Sequence, residues 1–231
     1  MAKLKLVVLS GAGMSAESGL QTFRDSNGLW EGHRVEDVAT PEAWHRNPQL
    51  VLDFYNQRRK DVLNAKPNAG HLGLAMLEDD FEVTVITQNV DDLHERAGSK
   101  NVLHLHGEIF KMCSEVNPQI TQPIRKDILL GDTADDGHQF RPFIVWFGEP
   151  VVQMEKAAAI AAQADIFIVI GTSLAVYPAA GLVHLVPAAS QKFIIDKKIP
   201  TTTSIPQLTI IEKPATEGVA ILQKILKGKQ D

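Results

Sequence analysis

The sequence predicts an α/β protein in which a parallel sheet carries helices on both faces. Residues 4–9 are apolar apart from Lys5, and residues 165–171 are apolar after Asp165. Both lead into glycines, and such short runs are typical of strands buried on both sides. Strand-like and helix-like segments alternate along most of the chain, which favours a parallel sheet. Residues 108–141 are polar and contain several prolines, glycines and aspartates, so a small irregular second lobe is predicted there.

The other elements follow from local patterns in chain order. Helices are predicted to start at Thr40-Pro41 and Asn47-Pro48, because a capping side chain precedes a first-turn proline. Further helices are expected at residues 68–80, 91–97 and 154–163, from Pro178 to about Val186, and at residues 216–227. Further strands are expected at residues 81–88, 101–107, 142–149, 192–196 and 208–211. Residues 1–231 are therefore expected to form a single domain, with small-lobe insertions at about 28–67 and 108–141.

The overall composition narrows the possible function classes. A chain of 231 residues with 44% hydrophobic and 22% charged residues can bury a full core. The net charge of −5 argues against a non-specific nucleic-acid binder. Cys113 is the single cysteine, which excludes an internal disulfide and a zinc site built from several thiolates. No stretch approaches ~18 apolar residues, so no membrane span is expected and a cytoplasmic monomer is predicted.

A glycine turn follows the first predicted strand. Gly11, Ala12, Gly13 and Ala16 fit the loose dinucleotide-binding pattern, between a strand and a helix start. Such a turn is expected to bring backbone and free N–H groups close to a pyrophosphate. A hydride-transfer enzyme usually has an acidic residue after a second strand about 20 residues later. Here that distance falls in the loop at residues 23–32, which counts against an ordinary dehydrogenase.

Polar clusters follow three other predicted strands. They are Gln88, Asn89 and Asp91, then His106, and then Gly171, Thr172 and Ser173. In open α/β sheets, ligands bind at the carboxyl ends of the strands. These clusters are therefore expected to meet at the edge that carries the glycine turn.

Five motifs, taken together, resemble the sirtuin family. They are GAGMSAESGLQTFRD at residues 11–25, TQNVDDLHERAG at 87–98, HLHG at 104–107, VWFGE at 145–149 and IGTSLAVYPAA at 170–180. The resemblance implies a Rossmann-like fold and removal of acyl groups from protein lysines, with NAD consumed as a co-substrate. Acylated lysine side chains of proteins are then the expected partners.

The resemblance also implies roles for individual residues. It places NAD against Gly11, Ala12, Gly13, Ser15, Ala16, Phe23, Arg24, Gln88, Asn89, Asp91, Gly171, Thr172, Ser173, Asp196 and Ala215. It makes His106 the catalytic base, with Gln88 and Asn89 at the nicotinamide and its ribose. It places the extended substrate against Val145, Phe147, Gly148, Glu149 and Val176. Asp196 stands where the family usually has an asparagine.

The small lobe departs from the family pattern. Sirtuins commonly carry two cysteine pairs that hold a structural zinc ion, whereas Cys113-Ser114 is followed by no second pair. One thiol with His138 does not make a tetrahedral zinc site, so no zinc is predicted.

Three residues point to an acidic acyl group. Tyr55 and Arg58 match a pair in sirtuins that prefer succinyl, malonyl or glutaryl lysine, and Ala39 matches a small residue that widens the acyl pocket in that branch. Residues i and i+3 share a helix face, so a guanidinium and a phenol hydroxyl can hold one carboxylate. The alternative interpretation is that Arg58 belongs to a solvated run at residues 58–60.

Two other functions use the same motifs. One is transfer of ADP-ribose to a protein side chain, and the other is a non-catalytic NAD or ADP-ribose binding module. His106, with the cluster at residues 88–91, argues against the binding module, because binding alone requires no base.

Overall fold

The computed structural model describes residues 2–21, 29–30, 32–199 and 205–228. Its strands are β1 Lys5–Ser10, β2 Leu29–Trp30, β3 His33–Arg34, β4 Glu82–Thr87, β5 Val102–His104, β6 Gly107–Ser114, β7 Thr121–Pro123, β8 Phe140–Ile144, β9 Ile166–Ile170, β10 Gln191–Ile195 and β11 Leu208–Ile211. Its α-helices are α1 Gly13–Ala16, α2 Val35–Val38, α3 Pro41–Arg46, α4 Pro48–Asn64, α5 Ala69–Met76, α6 Leu93–Arg96, α7 Met154–Ala161 and α8 Ala215–Lys227. Leu77–Asp79 and Ala179–Leu185 form 3₁₀ helices.

Six of the strands form a parallel sheet with the order β11-β10-β9-β1-β4-β5. The register pairs Ser10 with Thr87 on one side and with Ile170 on the other. The loops after β1, β4 and β9 therefore leave the sheet side by side at one edge. This confirms the predicted Rossmann-like parallel sheet.

Separate hydrophobic clusters cover the two faces of the sheet. Leu6 and Val8 of β1 belong to the cluster beneath α5 and α8. Val7 and Leu9 belong to the cluster beneath α7 and the 3₁₀ helix Ala179–Leu185. Because successive side chains of a strand point to opposite faces, burial of both faces requires a continuous apolar run. The prediction of helices on both faces is confirmed.

The second lobe is more regular than predicted. Strands β7, β6 and β8 form an antiparallel sheet, and its core joins residues of α2, α3 and α4. The predicted second lobe is present, but residues 108–141 contain most of β6, all of β7 and the start of β8. The predicted strand at 142–149 ends at Ile144, and the one at 101–107 ends at His104. An irregularity in strand pairing between Gly107 and Met112 obscures the alternation in the sequence.

The predicted helix starts are confirmed by side-chain caps. Thr40 Oγ1 accepts a hydrogen bond from the Ala43 N–H at 3.0 Å, and Asn47 Oδ1 accepts one from the Leu50 N–H at 3.1 Å. These bonds satisfy N–H groups that a helix cannot satisfy itself. Within the described ranges, no helix is both long and apolar enough to cross a membrane.

Candidate active site

Side chains after β4 tie the three sheet-edge loops together. The Asn89 amide Nδ2 donates to the Gly11 carbonyl and to Ser15 Oγ, both at 3.1 Å. The Gln88 amide Nε2 donates to Thr172 Oγ1 at 3.1 Å. The loops after β1, β4 and β9 therefore form one hydrogen-bonded cluster, as expected from the sequence.

Asp91 is the buried acid of this cluster. It is 6% exposed, and its carboxylate accepts hydrogen bonds from Ser15 Oγ at 3.0 Å and from the Leu93 N–H at 3.1 Å. Burial raises the pKa of Asp91, and these two bonds oppose the rise. Asp91 thus holds Ser15 and the start of α6 against the glycine turn.

The glycine turn packs closely against the loop after β9. A Cβ atom on Gly11 would lie 2.7 Å from the Thr172 Cβ, and one on Gly13 would lie 2.8 Å from the Gly171 Cα. Gly171 itself has a φ of +63°, and a Cβ there would lie 2.2 Å from the Met14 nitrogen. Contact between these two loops is therefore a sufficient reason for glycine at all three positions.

The predicted cradle of free N–H groups is wrong at four positions. The N–H groups of Gly11, Gly13, Met14 and Ser15 donate to the carbonyl oxygens of Ile170, Gly171, Gly11 and Ala12. Those hydrogen bonds hold the turn against β9 and close the single turn of α1. A ligand at this turn therefore has to rely on other groups, such as the side chains of Ser15 and Thr172.

His106 lies just beyond β5, beside the cluster. Its Nδ1–H donates to the Gln88 carbonyl oxygen at 3.0 Å, since a carbonyl can only accept. In the neutral ring, Nε2 then carries the lone pair. No described residue bonds this Nε2 atom, and burial lowers the pKa of His106. The site therefore contains a neutral imidazole that is ready to accept a proton.

The residues of the predicted acyl pocket lie together in the second lobe. Tyr55 is fully buried, Arg58 is 8% exposed and Ala39 is 2% exposed. The Arg58 guanidinium lies 4.6 Å from the centroid of the Trp30 ring, which in turn contacts Tyr55 edge-on at 6.2 Å. The interpretation of Arg58 as part of a solvated face is therefore wrong.

Sequence reasoning missed two tryptophans of this pocket. Trp30 lies against Arg58 and Tyr55, and Trp146 Nε1–H donates to the Tyr55 hydroxyl oxygen at 3.2 Å. Trp146 lies inside the VWFGE motif, and this motif could have indicated its part in the pocket. Trp30 stands in a loop without a readable period, so nothing local indicated its role.

The segment expected to pair with substrate links His106 to the acyl pocket. The Val145 N–H donates to the His106 carbonyl at 2.9 Å, and the Phe147 N–H donates to the Ala39 carbonyl at 3.0 Å. The segment is a turn, in which the Glu149 N–H donates to Trp146 and Gly148 has a φ of +92°. The N–H groups of Val145, Phe147 and Glu149 are therefore occupied within the chain.

The remaining predicted cofactor and substrate residues lie around the cluster. Asp196 follows β10, and its side chain accepts from the Lys198 N–H at 3.0 Å. Ala215 begins α8 and is buried. Ala16, at the end of α1, is half-buried, as are Ser173 and Val176 in the loop after β9. Phe23 and Arg24 lie outside the described residues.

The predicted zinc-free lobe surrounds Cys113. In the described ranges, no group of three or more histidine, cysteine, aspartate or glutamate residues could hold a metal. Burial raises the pKa of the Cys113 thiol to about 11. The neighbouring Ser114 instead donates to the Asp136 carboxylate at 2.7 Å.

A cavity of about 520 Å³ lies elsewhere, on the outer side of α4. Arg59, Lys60 and Arg125 are among its lining residues. None of the residues of the sheet-edge cluster or the acyl pocket lines it.

Comparison with known proteins identifies the family. The family model described as the Sir2 family matches residues 11–178. The chain belongs to the Sir2 family. The sheet-edge cluster, His106, the acyl pocket and the turn at 145–149 all lie within the matched segment, whereas Asp196 and Ala215 lie beyond it.

Sir2 relatives resemble the chain over most of its length. An "NAD-dependent protein deacylase" of Bacteroides thetaiotaomicron is 54% identical over 227 residues, which cover 96% of this chain and 97% of the relative. A protein of the same name from Helicobacter pylori is 57% identical over 177 residues, or 77% of each chain. The sirtuin resemblance predicted from the motifs is thus confirmed.

Solved Sir2 structures share the fold. A Sir2 homologue in complex with NAD is 36% identical with a TM-score of 0.84, covering 97% of this chain and 91% of that one. A Sir2 homologue variant bound to ADP-ribose has a TM-score of 0.86 at 36% identity, with coverage of 97% and 94%. Another, bound to a deacetylated p53 peptide and 3′-O-acetyl ADP-ribose, has a TM-score of 0.80 at 30% identity, with coverage of 96% and 94%.

Proposed function

We propose that this protein is an NAD-dependent protein lysine deacylase that prefers acidic acyl groups such as succinyl and malonyl. The observation that supports the deacylase activity is the neutral imidazole of His106, which is anchored to Gln88 beside the sheet-edge cluster. The observation that carries the acyl preference is the buried pair of Tyr55 and Arg58. Support also comes from the Sir2 relatives named as deacylases and from neighbours that contain NAD or ADP-ribose.

The residues at the sheet edge fit a bound NAD. Ser15, Asn89 and Thr172 offer side-chain polar groups there, and Gln88 and Asp91 position them. When bound, NAD supplies the ribose carbon that takes the acyl oxygen as nicotinamide leaves. The chain's own part is to orient both reactants and to exclude water, which suits a reaction that requires neither a thiol nor a metal.

His106 is the general base in this proposal. Gln88 holds the hydrogen of the ring on Nδ1, so Nε2 can accept a proton from a ribose hydroxyl. Burial lowers the pKa of His106, which favours the neutral form at physiological pH. The bond from Val145 to the His106 backbone links this base to the segment proposed to bind substrate.

The second lobe favours an acyl group that carries a carboxylate. Arg58 is 8% exposed and lies beside the Tyr55 phenol at helical spacing, so a guanidinium and a phenol hydroxyl can hold one carboxylate. Burial raises the pKa of Tyr55, so its hydroxyl stays protonated and can donate to a carboxylate. Ala39 belongs to the same core cluster as Tyr55, and its small side chain suits a longer acyl group.

The two alternatives have less support. Transfer of ADP-ribose to a protein would use the same NAD residues but gives no reason for a buried arginine in an acyl pocket. A binding module gives no reason for His106.

We also propose that both lobes act as one catalytic unit, because Phe147 and Ala39 join the second lobe to the turn that contacts His106.

One assay separates these functions. The protein is incubated with NAD and with acetyl-, succinyl- or malonyl-lysine peptides, and all products are identified by mass spectrometry. NAD-dependent loss of succinyl or malonyl that exceeds loss of acetyl supports the full proposal. Faster deacetylation would refute the acidic preference alone. ADP-ribose on a protein without deacylation would favour the transferase, and NAD binding without turnover would favour the module.

A further inference from the structure

Trp146 determines how the Tyr55 hydroxyl can form hydrogen bonds. Its indole Nε1 lies 3.2 Å from the Tyr55 hydroxyl oxygen, and both side chains are buried, at 3% and 0% exposure. An indole nitrogen only donates, so Tyr55 must accept in this contact. One lone pair of the phenol oxygen is thus occupied, and the single hydroxyl hydrogen is directed away from Trp146.

Trp146 is itself held firmly. Its backbone N–H donates to Glu149 Oε2 at 2.8 Å, and Glu149 Oε1 accepts from Arg141 Nη2 at 2.7 Å. The Arg141 guanidinium lies 4.0 Å from the centroid of the Trp146 ring, which is within cation–π distance. Backbone and ring are therefore restrained by the same pair of charged side chains, and the direction of the indole N–H is fixed.

The hydroxyl hydrogen of Tyr55 has no acceptor within the described ranges. Arg58, one helical turn away, brings a positive charge to the same buried region. A carboxylate that enters this region would meet a guanidinium and a phenol hydrogen already directed away from Trp146. Such preorganisation strengthens binding, because the hydroxyl loses no rotational freedom when the acyl group arrives.

We propose that Trp146 is a positioning residue for acyl specificity, whose indole N–H orients the Tyr55 hydroxyl to donate to the carboxylate of an acidic acyl group. This inference rests on the proposed preference for acidic acyl groups. An acetyl group has no carboxylate to accept the hydrogen, so orientation of Tyr55 matters for succinyl and malonyl substrates and much less for acetyl.

The test removes the indole N–H of Trp146 and measures the ratio of kcat/KM for succinyl-lysine to that for acetyl-lysine peptides. Trp146→Phe keeps an aromatic ring and removes the donor. We expect the KM for a succinyl-lysine peptide to rise about tenfold, the effect of losing one hydrogen bond to a charged group, and the succinyl-to-acetyl ratio of kcat/KM to fall similarly. Trp44→Phe is the matched control, because Trp44 packs against Trp146 with ring centroids 5.9 Å apart but donates its indole N–H to Glu115 and not to Tyr55. That control should leave the ratio unchanged.

A double-mutant cycle shows whether Trp146 acts through Tyr55. In a Tyr55→Phe background, Trp146→Phe should lower the ratio no further. An equal loss for acetyl and succinyl peptides, or an additive loss in the cycle, would overturn the inference and make Trp146 a packing residue.

If Trp146→Phe does not fold, 3-benzothienylalanine at position 146 keeps the two-ring shape and removes only the N–H. A wild-type protein that does not desuccinylate or demalonylate would instead refute the proposed preference, and this inference with it.

Discussion

His104 and His106 donate their Nδ1–H groups to consecutive carbonyl oxygens, those of Asn89 at 2.9 Å and Gln88 at 3.0 Å, yet their pKa values shift in opposite directions. Burial opposes the charged form of both rings. For His104 the hydrogen bond from Nε2 to Glu95 at 2.7 Å outweighs burial and raises the pKa. Among the described residues His106 has no such acid, so burial lowers its pKa. This difference makes His106, rather than His104, suited to act as a base.

Replacement of His106 should stop turnover without removing the cofactor site. We expect His106→Ala to lower kcat by at least about 100-fold, the usual contribution of a general base, while NAD binding measured by calorimetry is retained. The fold should persist, because the ring makes one side-chain hydrogen bond in the described structure. His184→Ala, at an exposed position, serves as the control. Full activity in His106→Ala would refute the assignment of the base.

The pH dependence of the reaction should reflect the lowered pKa of His106. A base works when deprotonated, so activity rises as the pH increases through the pKa of the folded protein. Because burial lowers that pKa in the ligand-free protein, the acid limb of kcat/KM should lie below the ordinary histidine value of about 6.5. A profile of kcat/KM between about pH 5 and pH 8 measures it. An acid limb above neutral pH would contradict this environment for His106.

Removal of the Arg58 charge should discriminate between acyl groups. We expect Arg58→Met to lower kcat/KM for succinyl-lysine peptides roughly 10- to 100-fold, because a buried charge-assisted hydrogen bond is lost. The effect on acetyl-lysine peptides should be much smaller. Lys60→Met removes one charge from the exposed side of the same helix and should change neither value. Equal effects of Arg58→Met on both substrates would exclude Arg58 from the acyl pocket.

The hydrogen-bonded turn at Ser114 should stabilise the small lobe without metal. Ser114 is fully buried and its Oγ donates to Asp136 and accepts from the N–H groups of Val116 and Asn117. Ser114→Ala should therefore lower the free energy of unfolding by roughly 1–2 kcal/mol in urea titrations.

Substitutions of Asp136 and of its neighbour Asp135 provide a matched comparison for the same turn. Ser114 lowers the pKa of Asp136, so Asp136→Asn should lower the free energy of unfolding. Asp135→Asn should leave the free energy of unfolding unchanged. Elemental analysis should find no stoichiometric zinc. One zinc ion per chain, or an Asp135→Asn effect equal to that of Asp136→Asn, would contradict the prediction.

A buried histidine pair should make the protein sensitive to acid. The rings of His71 and His94 are 4.9 Å apart, and burial lowers the pKa of His71 to about 4 and that of His94 as well. The unfolded chain binds protons from about pH 6.5 downward, so stability is complete above that pH and is lost progressively towards about pH 4. Urea titrations at about pH 7.5 and pH 5 should show the loss.

Replacement of His71 tests whether the buried pair of His71 and His94 causes the acid sensitivity. His71→Gln should reduce the loss of stability on acidification, whereas His184→Gln should not, because His184 is exposed. An unchanged pH dependence in His71→Gln would show that other groups cause the acid sensitivity.

Much of the fold was predictable because its signals are local. The apolar runs of β1 and β9, the N-caps at Thr40 and Asn47 and the glycines at Gly11 and Gly13 each act over a few residues. Strands β6 and β7 of the small lobe were missed, because β7 has only three residues and the pairing of β6 with β8 is irregular. Short, irregular strands are specified by their partners rather than by their own period.

The sequence by itself determined the parallel sheet, the family and the residues that meet at the sheet edge, because strand period and motif order are properties of the chain. Only the tertiary structure decided which N–H groups of the glycine turn are occupied, that Arg58 is buried and that Trp146 contacts Tyr55. These facts depend on contacts between distant segments: Tyr55 and Trp146 are 91 residues apart. Burial and hydrogen-bond direction arise when such segments meet, so they cannot be read from local pattern.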